Sequence, residues 1–235
     1  IVRPTYLSIC NADMRYYLGT RDAKVLAEKL PMALIHEGVG EVFLDPTGTF
    51  KTGDKVVMVP NAPVEKDEFI AENYLRSSKF CGSSLDGFLQ EFVEISPKRL
   101  VKLPDDIDMT VAAFTEIVSV SVHAISRFDK IAHARRNTIS VWGDGNLGYI
   151  TSLFLKYHFP KSKIVVFGTS SDKLADFTFA DETHLVNEVP DGFTTDHAFE
   201  CVGGNGSPIA IEQIIGLIKP EGTISILGVS EYPVP

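Results

Sequence analysis

Four side chains in the sequence are of the kinds that bind zinc. Cys10 supplies a thiolate, His36 an imidazole, and Glu37 and Glu116 carboxylates. Zn²⁺ prefers these ligand types, and a catalytic zinc keeps one coordination position open for water or substrate. Spacing alone leaves other interpretations open. Cys10 is also explained as a small core residue, and the pair His36-Glu37 as exposed residues at the start of a strand.

Glu116 lies in an almost wholly apolar stretch, residues 109–125, which we expect to form a buried helix. A bare carboxylate in such a helix is costly unless it is paired or bound to a metal. His123, two helical turns further along the same face, offers a pairing that needs no metal.

A glycine motif follows a predicted strand in the second half of the sequence. Residues 141–148 read VWGDGNLG, which is the pattern G-x-G-x-x-G. In a βαβ unit these glycines permit a tight turn, close approach to a pyrophosphate, and packing of the helix on the strand. The helix N terminus adds the positive end of a dipole. Because strand, motif, helix and next strand fall in register, a dinucleotide site is predicted. Its residues in this loop are Gly143, Asp144, Gly145, Asn146, Leu147 and Gly148.

Gly168 stands at the end of the next predicted strand, about 20 residues after the motif, where an enzyme that uses NAD usually has Asp or Glu. The residues that follow are small and hydroxyl-rich, with a lysine close by. This composition favours the ribose phosphate of NADPH, although a simple polar turn is the alternative. The candidate binding residues are Gly168, Thr169, Ser170, Ser171 and Lys173.

Strand and turn patterns divide the sequence into two predicted domains, residues 1–126 and 127–235, separated at a polar break near 126–136. In the first domain we expect one helix, at 22–30, which is ended by Pro31, and three strands. Those strands are 39–43, 55–59 and 88–95.

After Asn137 short buried strands alternate with helical stretches such as 147–157 and 207–218, which predicts βαβ units and a parallel sheet. The strands are 138–141, 163–167, 183–186, 197–201 and 223–227. A full Rossmann sheet has about six strands. Because five are present, and the sequence does not begin with Met, we expect both domains to be incomplete parts of a longer enzyme.

Composition excludes several classes of protein. The net charge of −9 argues against a general nucleic-acid binder. No apolar run reaches the ~20 residues of a membrane span, and no signal-peptide pattern opens the sequence. Three cysteines, Cys10, Cys81 and Cys201, are too few and too scattered for a disulfide framework, which suits a reducing cytoplasm.

The order of these motifs resembles that of the zinc-dependent alcohol and polyol dehydrogenases of the medium-chain dehydrogenase/reductase family. The resemblance spans essentially the whole sequence, and the stretches that carry it are 8–13 (SICNAD), 31–42 (PMALIHEGVGEV), 53–56 (GDKV), 86–88 (DGF) and the glycine motif. It implies an α/β protein, with a GroES-like β-rich catalytic domain followed by a Rossmann domain with a doubly wound parallel sheet. It also implies one catalytic zinc lined by Cys10, His36, Glu37 and Glu116. Asp13 matches a supporting carboxylate that orients these ligands.

Within this family the sequence resembles the ribulose-5-phosphate reductases, through the stretches 13–17, 60–74, 142–150, 197–204 and 220–233. This resemblance implies reduction of D-ribulose 5-phosphate to D-ribitol 5-phosphate with NADPH, the zinc polarising the ketone. The product would enter CDP-ribitol for wall teichoic acid or capsule synthesis. A homodimer, docked to a cytidylyltransferase, is also implied. A zinc-dependent dehydrogenase of another polyol or alcohol stays open, as does a metal-free family member with a binding or regulatory role.

Three departures from the family pattern affect the site. Ile35 replaces the usual glycine before His-Glu, and Ala12 replaces the usual Ser or Thr of a proton relay. Many relatives hold a structural zinc with four cysteines in the lobe at 60–87. Because only Cys81 is present there, no structural zinc is expected, and Cys81 is predicted to be a surface or half-buried thiol.

A sugar phosphate requires cations or backbone donors in the substrate cleft. Arg15, which follows Cys10 closely, is the first candidate, and Arg76 and Lys79 come next. Each is also explained as a solvated surface residue. Tyr16 and Tyr17 either line the pocket or pack in the core.

Overall fold

The structure, a computed structural model, describes residues 1–230. The chain divides into two compact units, Ile1–Glu116 and a second unit from Ile117 onward. The division falls near the start of the helix Thr115–Ile131. The domain boundary taken from the sequence, between residues 126 and 127, lies later in the same helix.

Short strands and helices build the first unit. Its strands are β1 (Val2–Ser8), β2 (Glu37–Val42), β3 (Lys55–Met58), β4 (Asn61–Ala62), β5 (Lys79–Phe80) and β6 (Leu100–Lys102). Its helices are α1 (Asn11–Tyr17), α2 (Ala23–Lys29) and α3 (Met109–Ala112), and α4 (Thr115–Ile131) begins in it. Two short 3₁₀ turns lie at Glu72–Tyr74 and Pro97–Arg99.

An antiparallel sheet in the order β1-β2-β3-β6 forms the centre of this unit, and β4 pairs with β5 separately. Side chains from β1, β2 and β3 pack with Phe88 and Val93 in one buried cluster. Fully burying a side chain of this size contributes about 1.5–3 kcal/mol. The sheet is therefore a stable support for the residues at its ends.

The predicted strands at 39–43 and 55–59 are confirmed as β2 and β3, and the predicted helix at 22–30 as α2. The Asp22 side chain caps α2 by accepting the N–H of Lys24 at 2.8 Å. The long helix expected at 109–125 is two helices, α3 and α4, separated at residues 113–114.

The predicted strand at 88–95 is wrong. In this segment Val93 makes one isolated bridge to Val2, and the N–H of Phe88 donates to the carbonyl of Ile35 at 2.7 Å. Phe88 and Val93 are buried. Their apolar side chains fill the core beneath the sheet and do not belong to a strand of it.

The second unit contains alternating strands and helices. In chain order these are β7 (Thr138–Trp142), α5 (Asn146–His158), β8 (Lys163–Gly168), α6 (Ser171–Leu174), β9 (Glu182–Leu185), β10 (His197–Glu200), α7 (Ser207–Leu217) and β11 (Ile224–Ile226). A 3₁₀ turn at Gly204–Gly206 precedes α7. All five predicted strands and the two named helical stretches are confirmed, with small differences at their ends.

The five strands form one parallel sheet in the order β11-β10-β7-β8-β9. When these strands are numbered 1 to 5 along the chain and read from the β9 edge, the order is 3-2-1-4-5, which is the Rossmann arrangement. Both faces are covered, because Ile164 and Val166 of β8 pack in one buried cluster while Val165 and Phe167 pack in another. The carboxyl end of β7 is a switch point of the sheet, where such folds bind their ligands.

The helices that the structure describes include none that combines the length and the apolar character of a membrane span.

Candidate metal and cofactor sites

The register of β1 against β2 brings three predicted metal ligands together. Ser8, the last residue of β1, pairs with Glu37, the first residue of β2. Cys10 and His36 therefore lie at the same end of this strand pair. The Cys10 sulfur lies 3.7 Å from Nε2 of His36, and Oε1 of Glu37 lies 4.0 Å from the same nitrogen. One ligand atom from each of these three residues lies within 4.8 Å of the other two.

Asp13 connects the two segments that carry these ligands. Its Oδ2 accepts the backbone N–H of Cys10 at 3.0 Å and lies 3.1 Å from the Cys10 thiol, which donates to it. Its Oδ1 accepts the N–H of Ile35 at 3.0 Å and lies 3.9 Å from Nδ1 of His36. Asp13 is buried in the first turn of α1. Asp13 therefore joins the segment of Cys10 to the segment of His36.

Ile35 has a left-handed backbone conformation, with φ of 72°. A β-branched residue is rarely found in this region, because its side chain crowds the backbone. The Ile35 N–H bonds to Asp13, and its carbonyl accepts from Phe88. A Cβ atom on Gly87 would lie 2.2 Å from that carbonyl oxygen, so the neighbouring backbone is in close contact. Ile35 therefore keeps a conformation that a glycine would adopt freely.

Glu116 is the second residue of α4. Its pKa is raised to about 7, first by burial and then by the negative charges of Glu37 and Asp13. Among the described residues, the group whose ligand atoms meet within 4.8 Å does not include Glu116. The fourth predicted ligand thus interacts electrostatically with Glu37 and Asp13, but its carboxylate is more than 4.8 Å from at least one of the other three ligand atoms.

The chemistry of this donor set fits a divalent cation. Burial raises the pKa of the Cys10 thiol to about 12 and raises that of Glu37, because anions are poorly solvated there. Burial lowers the pKa of His36, which keeps its imidazole in the neutral form that binds metals. A bound Zn²⁺ would reverse the penalty on the thiolate and the carboxylates, because it attracts them.

The glycine loop of the second unit has the geometry that its motif predicts. Gly143 has φ of 132°, and a Cβ there would lie 2.9 Å from the Cys201 backbone. A Cβ on Gly148 would lie 1.9 Å from the carbonyl oxygen of Gly143, so this glycine permits the close packing of α5. Within residues 1–230, and apart from its two chain neighbours, no atom lies within 4 Å of the Cβ position of Gly145, the N-cap of α5. The backbone at Gly145 is therefore open to a ligand at the positive end of a helix.

Asp144, inside this loop, binds the turn that follows β8. Its Oδ2 accepts the N–H of Thr169 at 2.7 Å, the hydroxyl of Thr169 at 3.2 Å, and the N–H of Ser170 at 2.8 Å. The sequence predicts that these donors bind the cofactor phosphate. In the structure they bind Asp144, a role that the sequence analysis missed. Two features of the sequence could have indicated this interaction. Asp144 is an acid inside the glycine loop, and Gly168, at the end of the next strand, has no side chain that would occupy the same space.

A cavity of about 420 Å³ lies beside the glycine loop within the second unit. Its lining includes Asp144, Gly145, Asn146, Tyr149, Lys173 and Phe177. Lys173 belongs to the short helix α6, whose N-cap Ser170 accepts the N–H of Lys173 at 3.4 Å. Ser171, at the start of α6, is exposed.

Arg15, the candidate for the substrate phosphate, is half-buried in the last turn of α1. Two other cations, which were not predicted from the sequence, lie beside the ring of Tyr16. The Arg21 guanidinium lies 4.1 Å from the centre of the Tyr16 ring, and Nζ of Lys29 lies 6.0 Å from it. Tyr16 is buried, as expected for a core residue, whereas Tyr17 is 78% exposed.

The remaining candidates differ in exposure. Arg76 and Lys79 are exposed. Cys81 is half-buried, as predicted.

Comparison with known proteins gives this chain close relatives. Residues 1–105 match the alcohol dehydrogenase GroES-like domain. The chain is 58% identical, over 234 residues, to a ribulose-5-phosphate reductase of Bacillus spizizenii and to ribulose-5-phosphate reductase 1 of Staphylococcus aureus. Each alignment covers 100% of the chain and 69% of the relative. A sorbitol dehydrogenase of Rattus norvegicus is 31% identical, over 94% of the chain and 59% of the relative.

Solved structures of similar proteins have the same fold as this chain. The crystal structure of S. aureus TarJ in complex with NADPH is 52% identical, with a TM-score of 0.83, and the match covers 100% of this chain and 66% of that one. The galactitol-1-phosphate dehydrogenase of Escherichia coli has a TM-score of 0.83 at 20% identity, which shows a shared fold. The chain thus spans about two thirds of the length of these proteins. It belongs to the medium-chain dehydrogenase/reductase family, in the branch that contains the ribulose-5-phosphate reductases.

Proposed function

We propose that the intact protein reduces D-ribulose 5-phosphate to D-ribitol 5-phosphate with NADPH and one catalytic zinc. The observation that carries the proposal is the convergence of ligand atoms from Cys10, His36 and Glu37 within 4.8 Å, beside the buried carboxylate of Asp13. The relatives at 58% identity are named for the reduction of ribulose 5-phosphate. Together these observations favour a metal-assisted reduction of a ketose phosphate.

Cys10, His36, Glu37 and Glu116 are the residues that would hold the zinc. When bound, Zn²⁺ supplies a Lewis acid that polarises a ketone oxygen. The protein's own contribution is to orient the donors. Asp13 holds the backbone of Cys10 and that of Ile35, next to His36, and so limits the motion of thiol and imidazole relative to one another.

The glycine loop and α5 would hold the cofactor. NADPH supplies the hydride for a carbonyl carbon. The open backbone at Gly145, the N-cap of a 13-residue helix, is a suitable place for a pyrophosphate. Lys173 adds a positive charge to the neighbouring cavity.

Formation of an alcohol from a ketone also requires a proton. Ala12 carries no hydroxyl, so the proton must come from a group other than residue 12. Arg15 is the residue that we assign to the substrate phosphate, because a guanidinium donates charge-assisted hydrogen bonds to phosphate oxygens.

The proposal includes the surroundings of the enzyme. Conversion of ribitol 5-phosphate to CDP-ribitol is a cytidylyl transfer, so the next enzyme would be a cytidylyltransferase. We propose a cytoplasmic homodimer that docks to this enzyme and serves wall teichoic acid or capsule synthesis. These points rest on the family resemblance.

A test of the zinc site compares two cysteine variants of the intact protein. Cys10→Ser should lose both zinc and ribulose-5-phosphate reduction, because a hydroxyl is a poor substitute for a thiolate ligand. Cys81→Ser is the matched control and should keep one zinc per subunit and full activity. Elemental analysis and NADPH oxidation measure the two quantities, and retained binding of 2′,5′-ADP shows that the cofactor domain of Cys10→Ser is folded. A metal-free preparation with full activity would contradict the proposal.

The substrate is tested separately. Ribulose 5-phosphate, ribulose, xylulose and sorbitol are assayed with both nicotinamide cofactors in the matching oxidation state. We expect kcat/KM to be highest for ribulose 5-phosphate with NADPH. Equal or better turnover of an unphosphorylated sugar would replace this substrate with a polyol of the sorbitol dehydrogenase type.

A further inference from the structure

The carboxylate of Asp144 binds the turn that follows β8. Asp144 accepts hydrogen bonds from both N–H groups of the turn, those of Thr169 and Ser170, and from the Thr169 hydroxyl. Although burial opposes its ionisation, these bonds and the charge of Lys173 lower the pKa of Asp144. The carboxylate is therefore ionised at neutral pH, and the donors of the turn are occupied.

Asp144 also determines which residue fits at position 168. A Cβ on Gly168 would lie 2.7 Å from Cβ of Asp144, 2.9 Å from its Oδ2 and 2.9 Å from Cδ2 of Leu174, which is the far end of a flexible side chain. Any side chain at 168 therefore collides with Asp144, and a carboxylate would add repulsion between like charges. The strand-end acid that binds a ribose in NAD enzymes is thus incompatible with Asp144.

The cavity beside the loop shows where a phosphate would be recognised instead. Lys173 is the only cation among the described residues that line it, and Asp144, Asp176, Tyr149 and Phe177 are among the others. Because Asp144 uses the N–H groups of the turn, they are not available to a second anion. Lys173 is then the group that can neutralise a phosphate in this cavity.

We propose that Asp144 is a positioning residue that sets cofactor preference. It holds the Thr169-Ser170 turn, excludes an acid from position 168, and leaves Lys173 to bind the 2′-phosphate of NADPH. This inference rests on the proposed use of NADPH. It differs from the interpretation based on the sequence, in which the turn itself binds the phosphate.

The test measures binding of two cofactor fragments, 2′,5′-ADP and 5′-ADP, by calorimetry, together with the Tm of the intact protein. Neither measurement needs zinc or substrate. Gly168→Asp alone should lower Tm and weaken binding of both fragments at least tenfold. Asp144→Gly combined with Gly168→Asp should restore most of the loss and reverse the preference towards 5′-ADP. Glycine is used at 144 because the collision includes the Cβ of Asp144.

Two further variants keep the test decisive. Gly168→Ala introduces only the Cβ, so Asp144→Gly should restore most of its loss of Tm even where Gly168→Asp fails to fold. The contact with Leu174 remains and accounts for the rest of the loss. Asp176→Gly is the matched control, since Asp176 lines the same cavity but is not among the bonded partners of Thr169 and Ser170 in the described residues. It should restore neither Gly168 variant.

The outcomes separate this inference from the proposed function. A wild-type protein that binds 2′,5′-ADP no better than 5′-ADP would contradict the use of NADPH. A wild-type protein that prefers 2′,5′-ADP, with a Gly168→Ala variant as stable as the wild type, would overturn the role of Asp144 alone. Additive losses of Tm in the double variants would overturn it as well.

Discussion

The carboxylate of Asp13 fixes the backbone of Ile35, whose N–H donates to Oδ1 at 3.0 Å. Ile35 is thereby held at φ of 72°, where a residue with a side chain loses roughly 1–2 kcal/mol. The other oxygen of Asp13 accepts the N–H of Cys10. One buried acid thus links the two segments that carry Cys10, His36 and Glu37.

Asp13→Asn should lower the affinity for zinc about 10–100-fold. Both oxygens of Asp13 accept backbone N–H groups, and an amide would place its NH₂ against one of them. Competition with a chelator of known affinity measures the change. Asp22→Asn, at the N-cap of α2, is the control that should leave the affinity unchanged. An Asp13→Asn protein with wild-type affinity would show that the carboxylate does not organise the site.

Ile35→Gly should be more stable than Ile35→Ala, which reverses the usual order of these residues. Both variants lose the buried isoleucine side chain, at a cost of about 2–5 kcal/mol. Ala keeps a Cβ in the left-handed region, whereas Gly does not, so Gly should gain about 1 kcal/mol over Ala. Since the lost burial exceeds the relieved strain, both should be less stable than the wild type.

Urea denaturation of the three proteins measures this difference. Val39, a buried residue of β2, provides the comparison: Val39→Gly should be less stable than Val39→Ala. The same order at position 35 would mean that Ile35 is not strained.

Arg15→Ala should raise KM for ribulose 5-phosphate at least tenfold and change kcat/KM for unphosphorylated ribulose little. The charge-assisted hydrogen bond that it removes is made to the phosphate. Lys24→Ala, on the exposed surface of α2, is the control for a general loss of positive charge. Equal losses for both substrates would make Arg15 structural, and Arg21→Ala would then be the next variant to measure.

Lys173→Ala should weaken binding of NADPH about tenfold while leaving that of NADH almost unchanged. The lysine lines the cavity beside the glycine loop, and its charge interacts with Asp144. Fluorescence titration with each cofactor measures both affinities, and Lys161→Ala, an exposed residue, is the control. An equal loss of affinity for NADPH and NADH would show that Lys173 stabilises α6 and does not bind the phosphate.

The second unit should lose stability as the pH falls below about 6.5, in part because of His197. This residue is fully buried, its Nδ1 accepts the N–H of Thr223 at 3.1 Å, and its ring lies 4.3 Å from that of His133. Burial, followed by the charges of His133 and Arg136, lowers the pKa of His197. The unfolded chain therefore binds a proton that the folded chain does not, which costs up to about 1.4 kcal/mol per pH unit.

His197→Asn should reduce this pH dependence, because its amide oxygen can accept the Thr223 N–H without titrating. Urea denaturation at pH 7.5 and 5.5, followed by the fluorescence of Trp142, reports on the second unit, where Trp142 is the single tryptophan of the sequence. Comparing variant with wild type removes the contribution of carboxylates that titrate in the same range. His158→Asn is the exposed control. If the free energy of unfolding of His197→Asn changed with pH as much as that of the wild type, other groups would cause the pH dependence.

The second unit could be predicted from the sequence almost strand by strand, because strands buried on both faces are continuous apolar runs. Lys163–Gly168 is an example, with five buried residues in succession. The strand predicted at 88–95 was wrong because the burial of this segment depends on distant residues. Phe88 and Val93 are buried by contacts with Ile35 and Val2, which are distant in the sequence and leave no local pattern.

In the candidate sites, too, some features could be predicted from the sequence and others depend on tertiary contacts. The residue types at Cys10, His36 and Glu37 and the glycine spacing at 143–148 were visible in the sequence. The conformation of Ile35 and the bond from Asp144 to the turn after β8 depend on two chain segments meeting in space. Spacing within either segment does not reveal such a contact.

The pairing of Ser8 with Glu37 also has a consequence for how the chain reaches its native state. These residues are 29 positions apart in the sequence, so the ligands become neighbours only after a non-local strand pairing has formed. A slip of one residue would turn Glu37 to the opposite face of the sheet and separate it from Cys10. Because metal affinity depends on the correct register, zinc would stabilise the correctly paired chains and not the slipped ones. Zinc supply during synthesis would then influence the yield of folded enzyme as well as its activity.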